Sequence, residues 1–198
     1  MQKEIEIDFD ESGSRVRVNH RVTNCGAGKF TGSLWAITML RAGGRAIAPL
    51  LPGRGADEES CQPHSSLALW PGTNLTDPRL YLGSGRVELI AQINFRGTPV
   101  TQKIGVHNPD GWVAYTRADH VFIKRTTWKA GVPYTDLDSN IELYVQPEFV
   151  ELETPGPYGV LGPGDQSSRV EEWVLFKNVP AYTDESWVAS VLIPLLKD

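Results

Sequence analysis

Asp119, His120, Lys124, Asp136, Asp138, Glu142, Tyr144, Glu151 and Glu153 crowd into one stretch of the chain, with Trp112, Tyr115, Trp128 and Tyr134 among or beside them. On a strand over 140–146, the two-residue period puts Glu142, Tyr144 and Gln146 on one face and Ile141, Leu143 and Val145 on the other. A strand over 149–154 likewise sets Glu151 and Glu153 opposite Val150 and Leu152. A carboxylate row flanked by aromatic rings is what sugar recognition requires. Charged acceptors take directional hydrogen bonds from hydroxyls, and the apolar face of a pyranose packs on a ring. The same glutamates suit the solvated face of an outer strand, so the pattern alone leaves both readings standing.

Residues 52–80 are the second informative stretch, long, polar and rich in turn residues, with little periodicity outside Leu67–Trp70. Long ordered loops in compact domains are disproportionately functional, which makes Trp70 and Arg79 binding candidates. Asp77-Pro78 either caps a turn there or closes one end of a pocket. Other chemistries lack support. No phosphate-binding loop, no dinucleotide fingerprint and no nucleophile elbow occurs. The four histidines, His20, His64, His107 and His120, lack metal-ligand spacing, and Cys25 and Cys61 form no CxxC pair. Neither a metal nor a cofactor is expected. A Cys25–Cys61 disulfide is compatible with the spacing but not required by it.

The elements that must position these residues are strands. Ile5, Ile7 and Phe9 alternate with Glu4, Glu6 and Asp8, and Val16, Val18, His20 and Val22 share a face over 15–23. Phe30–Leu40 resumes the pattern, and Val87, Leu89, Ala91, Ile93 and Phe95 make one inward face. Further strands are expected over 99–107, 112–117, 119–126 and 168–176. Glycine and proline punctuate the junctions at Gly43-Gly44, Pro71-Gly72, Gly83-Ser84-Gly85 and Gly162-Pro163-Gly164. Many short strands with frequent turns predict an all-β antiparallel sandwich in a single domain over 1–198. One short helix is predicted over 184–197, from Val188, Val191, Leu192, Leu195 and Leu196 at helical spacing. Thr183 or Asp184 can cap it, and Pro194 should kink or shorten it. The expectation is that it plugs one sheet edge.

Composition agrees with a folded domain that needs no disulfide or metal to close its core, at 198 residues, 40% apolar and 22% charged. A formal net charge of −5 argues against nucleic acid or an anionic membrane as partner. No apolar run reaches the length of a membrane span, and no leader is evident, so a bacterial cytoplasmic protein is the default expectation.

Several stretches resemble galactose-mutarotase-like proteins, most nearly an uncharacterised bacterial branch of that fold. They are Trp70-Pro-Gly-Thr-Asn-Leu-Thr-Asp-Pro-Arg79, Phe122-Ile-Lys124, Asn140-Ile-Glu-Leu-Tyr144 and Phe149-Val-Glu-Leu-Glu-Thr-Pro-Gly-Pro157, followed by Glu171-Glu-Trp-Val-Leu175. The resemblance implies a galactose-mutarotase-like supersandwich, here partial at the N-terminal side. It implies that Glu153, in Leu152-Glu153-Thr154, stands where the family has its general base. Asp119-His120-Val121-Phe122 matches a stretch whose aspartate holds sugar hydroxyls. The family's acid is a histidine on the strand after a Thr-Asn turn; here Thr23-Asn24 leads into Phe30–Leu40, which holds Trp35 and no histidine.

Three functions follow as expectations. The first is a carbohydrate-binding domain for a small sugar or sugar acid, using Asp119, Lys124, Glu142, Tyr144 and Glu153, with Trp70 or Trp112 as platform and Arg79 from the loop. The second is an aldose epimerase with Glu153 as base and His64 or His107 as acid. The third is a structural domain with a silent pocket. A sandwich shortened in this way also suggests a homodimer through an exposed sheet edge or face.

Overall fold

The computed structural model describes residues 1–11, 13–50, 65–83 and 85–197. Thirteen strands appear among them. They are β1 (Gln2–Phe9), β2 (Arg15–Thr23), β3 (Phe30–Arg41), β4 (Gly44–Pro49), β5 (Leu67–Leu69), β6 (Leu80–Leu82), β7 (Arg86–Ala91), β8 (Gln102–Val106), β9 (Trp112–Arg117), β10 (His120–Thr126), β11 (Ile141–Val145), β12 (Phe149–Leu161) and β13 (Gln166–Phe176). They form two antiparallel sheets. One has eight strands in the order β1-β2-β13-β10-β9-β4-β7-β6, and the other has five in the order β3-β12-β11-β8-β5. The predicted antiparallel sandwich is therefore the observed architecture.

The main core lies between the sheets. Ala46, Ala48, Val87, Leu89, Val113 and Tyr115 from the large sheet meet Ile104, Val106, Ile141, Leu143, Val150 and Leu152 from the small one. A second cluster lies on the other side of the large sheet. There Trp187, Val188 and Leu192 of the C-terminal helix cover Ile47, Trp112, Ala114, Val121 and Ile123. The helix was expected at a sheet edge. It packs instead on the face of the central strands β4, β9 and β10, because those strands carry apolar residues on both sides. Asp184 caps it through Ser186 N at 2.8 Å. The helix widens to a π turn over Val188–Leu192 immediately before Pro194. That widening relaxes the clash between the proline ring and the carbonyl four residues back.

Other differences from expectation have local causes. β4 was hidden by the Gly43-Gly44 turn signal and by Ala46-Ile47-Ala48, which is buried on both faces and so shows no alternation. β7 stops at Ala91 because the chain turns at Asn94, which adopts φ 56°. Phe95 then lies over the Arg79 guanidinium, 3.6 Å from it. β12 runs on through Pro155-Gly156-Pro157 to Leu161, with a register shift between Pro155 and Tyr158. Proline is tolerated there because β12 has lost its β11 neighbour and pairs only with β3. Cys25 is an exposed free thiol, and Cys61, the other half of the suggested pair, lies outside the described residues.

Candidate functional site: a lysine-bridged glutamate pair between two tryptophans

The small sheet turns one face to the core and the other outward. On the outward face, strand register sets Glu142 of β11 directly opposite Glu153 of β12, and Tyr144 opposite both Glu151 of β12 and Lys103 of β8. Trp35, Ile37 and Met39 of β3 continue the same face beyond β12. They are 53%, 45% and 58% exposed.

Lys103 organises this surface. Its Nζ lies 2.8 Å from Glu142 Oε2 and 2.8 Å from Glu153 Oε2. It also sits 4.6 Å from the Trp70 ring centre and 5.1 Å from that of Trp35. Trp35 Nε1 donates to Glu153 Oε2 at 2.9 Å. The ammonium is thus held by two carboxylates and flanked by two indole faces, both favourable to a cation. Burial alone would favour the neutral amine, but Glu142 and Glu153 outweigh it and raise the lysine's pKa.

Both glutamates are almost fully buried, and the Oε1 atom of each has no hydrogen-bond donor. Burial, and then the neighbouring Glu153 carboxyl, push Glu142 up to about 8 against the opposing pull of Lys103. Burial together with the adjacent Glu153 carboxyl thus favours the protonated, donor-bearing form of Glu142. Burial and Glu153 also raise Glu151, and burial with Glu151 and Glu153 raises Tyr144.

The structure brings Glu142, Tyr144, Glu153 and Trp70 together, and disperses the other residues singled out in the sequence. Lys124 lies between the sheets, fully buried, with Nζ 3.0 Å from Glu171 Oε1, 3.0 Å from Thr38 Oγ1 and 3.1 Å from the Leu152 carbonyl. Burial lowers it to about 8, Glu171 opposing. Glu171 in turn accepts from Trp173, Thr154 and Lys124 and contacts His20 at 3.2 Å. Burial would raise it, but His20, Lys124 and Thr154 hold it down at about 2. Arg79 is committed to Asp77, to the Pro99 and Val100 carbonyls and to the Phe95 ring, and is 2% exposed. Asp77-Pro78 thus belongs to a buried ion pair that pins the loop. Trp112 packs beneath the C-terminal helix. Asp119 contacts His120 at 2.8 Å at the exposed β9–β10 turn of the other sheet. His107 follows β8, with Nδ1 3.2 Å from Asp138 Oδ2 and its ring edge-on to Trp128. His64 lies outside the described residues.

Trp35 and Lys103 are the residues that sequence reasoning did not assign. Each alternated with core positions on its own strand, Trp35 with Ala36 and Lys103 with Ile104. That signal marks an outward face but not its neighbours. Among the described residues no group of three or more His, Cys, Asp or Glu is placed to hold a metal ion, and no helix is long and apolar enough to cross a membrane.

No protein-family model matches the sequence, and no curated protein does. Solved structures do match in fold. A galactose mutarotase-like protein from Lactobacillus casei ATCC 334 superposes with a TM-score of 0.54 at 12% identity, over 88% of this chain and 63% of that one. A candidate aldose 1-epimerase from Escherichia coli K12 gives 0.49 at 13% identity, over 89% and 61%. One from Klebsiella pneumoniae gives 0.47 at 10% identity, over 98% and 54%. The chain has the galactose-mutarotase-like fold, and spans less than two thirds of the length of these structures.

Proposed function

We propose that the protein binds a small carbohydrate on the outward face of the five-stranded sheet, over the Lys103–Glu142–Glu153 cluster. The carrying observation is that this buried Lys103–Glu142–Glu153 cluster is seated between Trp35 and Trp70 on the central strands of the outward sheet face. The half-exposed Trp35 ring offers a platform for the apolar face of a pyranose. Lys103, 17% exposed, together with Glu151 and Tyr144, offers donors and acceptors to hydroxyls. Glu142 and Glu153 lie beneath and fix the lysine. The mutarotase-like fold of the solved neighbours supports a sugar ligand in particular.

Binding is favoured over turnover by the residue at the acid's expected position. Trp35 follows the Thr23-Asn24 turn on β3 and already touches Glu153. An indole N–H orients a carboxylate but does not transfer a proton at neutral pH. One observation keeps epimerisation as a second reading. Glu142, pushed up to about 8 by burial and by Glu153, has the pKa of a competent proton donor near neutral pH.

Ligand-observed NMR against monosaccharides and uronic acids tests the proposal, with Trp35→Ala and Lys103→Met as variants. Saturation transfer to one sugar class, lost in both variants, is the expected result. Absence of transfer from every sugar would sink it. Anomer exchange in the same samples separates binding from turnover.

A further inference from the structure

We infer that this chain forms a two-fold dimer in which β1 of each copy pairs with β3 of the other, and the two β1 strands stack face to face. The two sheets end on the same side of the sandwich, the large one on β1 and the small one on β3. The large sheet overhangs by one strand. β2 lies against β3 and buries Val18, whereas every residue of β1 is exposed. Register places Ile7 beside Val18, with Ile5 and Phe9 on the same, core-facing side. These three are 63%, 49% and 75% exposed for Ile5, Ile7 and Phe9. Beside Ile5 a groove of about 570 Å³ runs between the edges, lined by apolar residues such as Met1, Phe30 and Leu34 and also by Lys3, His20 and Arg21. An eight-residue and a twelve-residue edge thus flank one largely apolar groove with charged residues along it.

A two-fold axis through that opening resolves both problems together. It continues each large sheet into the partner's small sheet, so neither β1 nor β3 remains an edge. Because the overhang is one strand wide, β1 comes to lie over its symmetry mate about 10 Å away, the normal spacing of packed sheets. Ile5, Ile7 and Phe9 then meet their own copies in a closed, isologous contact.

Charge selects this pairing over the simpler one. Antiparallel pairing of β1 with itself keeps Glu4, Glu6 and Asp8 on a shared face, and sets acid opposite acid in any register that overlaps them. The outward face of β3 offers Thr31, Ser33, Trp35, Ile37 and Met39, and its one charge is Arg41. Five half-exposed apolar side chains face the shared groove: Met1, Ile5, Ile7, Phe9 and Phe30. At about 100 Å² each they amount to on the order of 500 Å² per copy, to which pairing of the two edge backbones adds, toward the lower end of stable interfaces. The partner's β1 would then border the Trp35 side of the carbohydrate face.

Sedimentation equilibrium over a dilution series tests the dimer directly. The expected mass is twice the 21.9 kDa of the chain. The double variant Ile5→Glu, Ile7→Glu, at positions exposed in one copy, should be monomeric with unchanged near-ultraviolet dichroism. Hydrogen exchange adds a second readout: β3 edge amides slow in the wild type and fast in the variant. A wild type that stays monomeric at the highest concentration overturns the inference. So does a double variant that remains dimeric, or association that grows past the dimer.

Discussion

Replacing Glu142 by glutamine should change how stability depends on pH, with a sign that the structure fixes. Folding lifts Glu142 from 4.5 to about 8, mainly through burial and then through the adjacent Glu153. Between those values the native state holds a proton that the unfolded chain has released. Unfolding free energy therefore falls with rising pH, by about 1.4 kcal/mol per unit for one proton. The stabilisation is complete below the unfolded value and is lost as pH rises through the folded one. The full difference is on the order of 3–5 kcal/mol, counted as belonging to the Glu142–Glu153 pair. Glutamine is neutral at every pH, and its amide can donate to Glu153 Oε1, so the variant lacks this loss. Urea unfolding of both proteins at several values between about pH 5 and 8.5 gives the comparison. Lys103, Glu151, Tyr144, Trp35 and Lys124 face the pair in both proteins, so their contributions largely cancel in the difference. The variant should gain on the wild type steadily with pH and level off near 8. Glu153→Gln should weaken the pH dependence only in part, because burial, the larger cause, still raises Glu142. Parallel curves for wild type and Glu142→Gln would refute the raised Glu142 carboxyl.

Two other buried clusters make sharper claims about stability alone. Glu171→Ala leaves Lys124 buried among carbonyls without its counter-charge, and should cost roughly 3–5 kcal/mol in urea unfolding. Asp77 lies at about 2 because its bonds to Arg79 and Gln102 outweigh burial. Its contribution is present above the ordinary carboxylate value and lost as pH falls toward 2, so Asp77→Asn should flatten acid unfolding in that range.

The fold was legible because period-2 alternation survives wherever one strand face meets core and the other meets water. It failed where that condition fails. Ala46-Ile47-Ala48 is buried on both faces and read as a turn's neighbour, while Lys124, on a strand that reads as half-solvated, points into the sandwich beside Leu152 and Thr38. The site was legible by half. Glu142 and Glu153 lie eleven positions apart in sequence, joined by adjacent strands, and alternation put both on one face. Lys103 is 50 positions from Glu153, and Trp35 is 118. Their meeting depends on the strand orders β8-β11 and β3-β12, which no local pattern encodes. Arg79 misled for the opposite reason. An arginine in a polar loop reads as a ligand-binding group, but its five donors are what a long loop needs to bind Asp77 and the carbonyls of Pro99 and Val100.

β12 links the inner and outer ionic clusters into one rigid arrangement. Its outward residues Glu151 and Glu153 build the candidate site. Between and beyond them, the Leu152 carbonyl and the Thr154 hydroxyl are gripped from inside by Lys124 and Glu171. A shift of the strand along its axis would have to break the inner ion network and the outer lysine bridge together, because Glu153 and Thr154 are consecutive. The charged residues inside the sandwich thus restrain the register on which the outer face depends. That coupling explains why two buried ionic clusters, each costly to desolvate, occur back to back across a single strand. It also limits where the site can adapt. Among the described residues Trp35 lies on the edge strand β3, whereas Lys103, Glu142 and Glu153 lie on inner strands, so adjustment of the cluster enters more easily at Trp35.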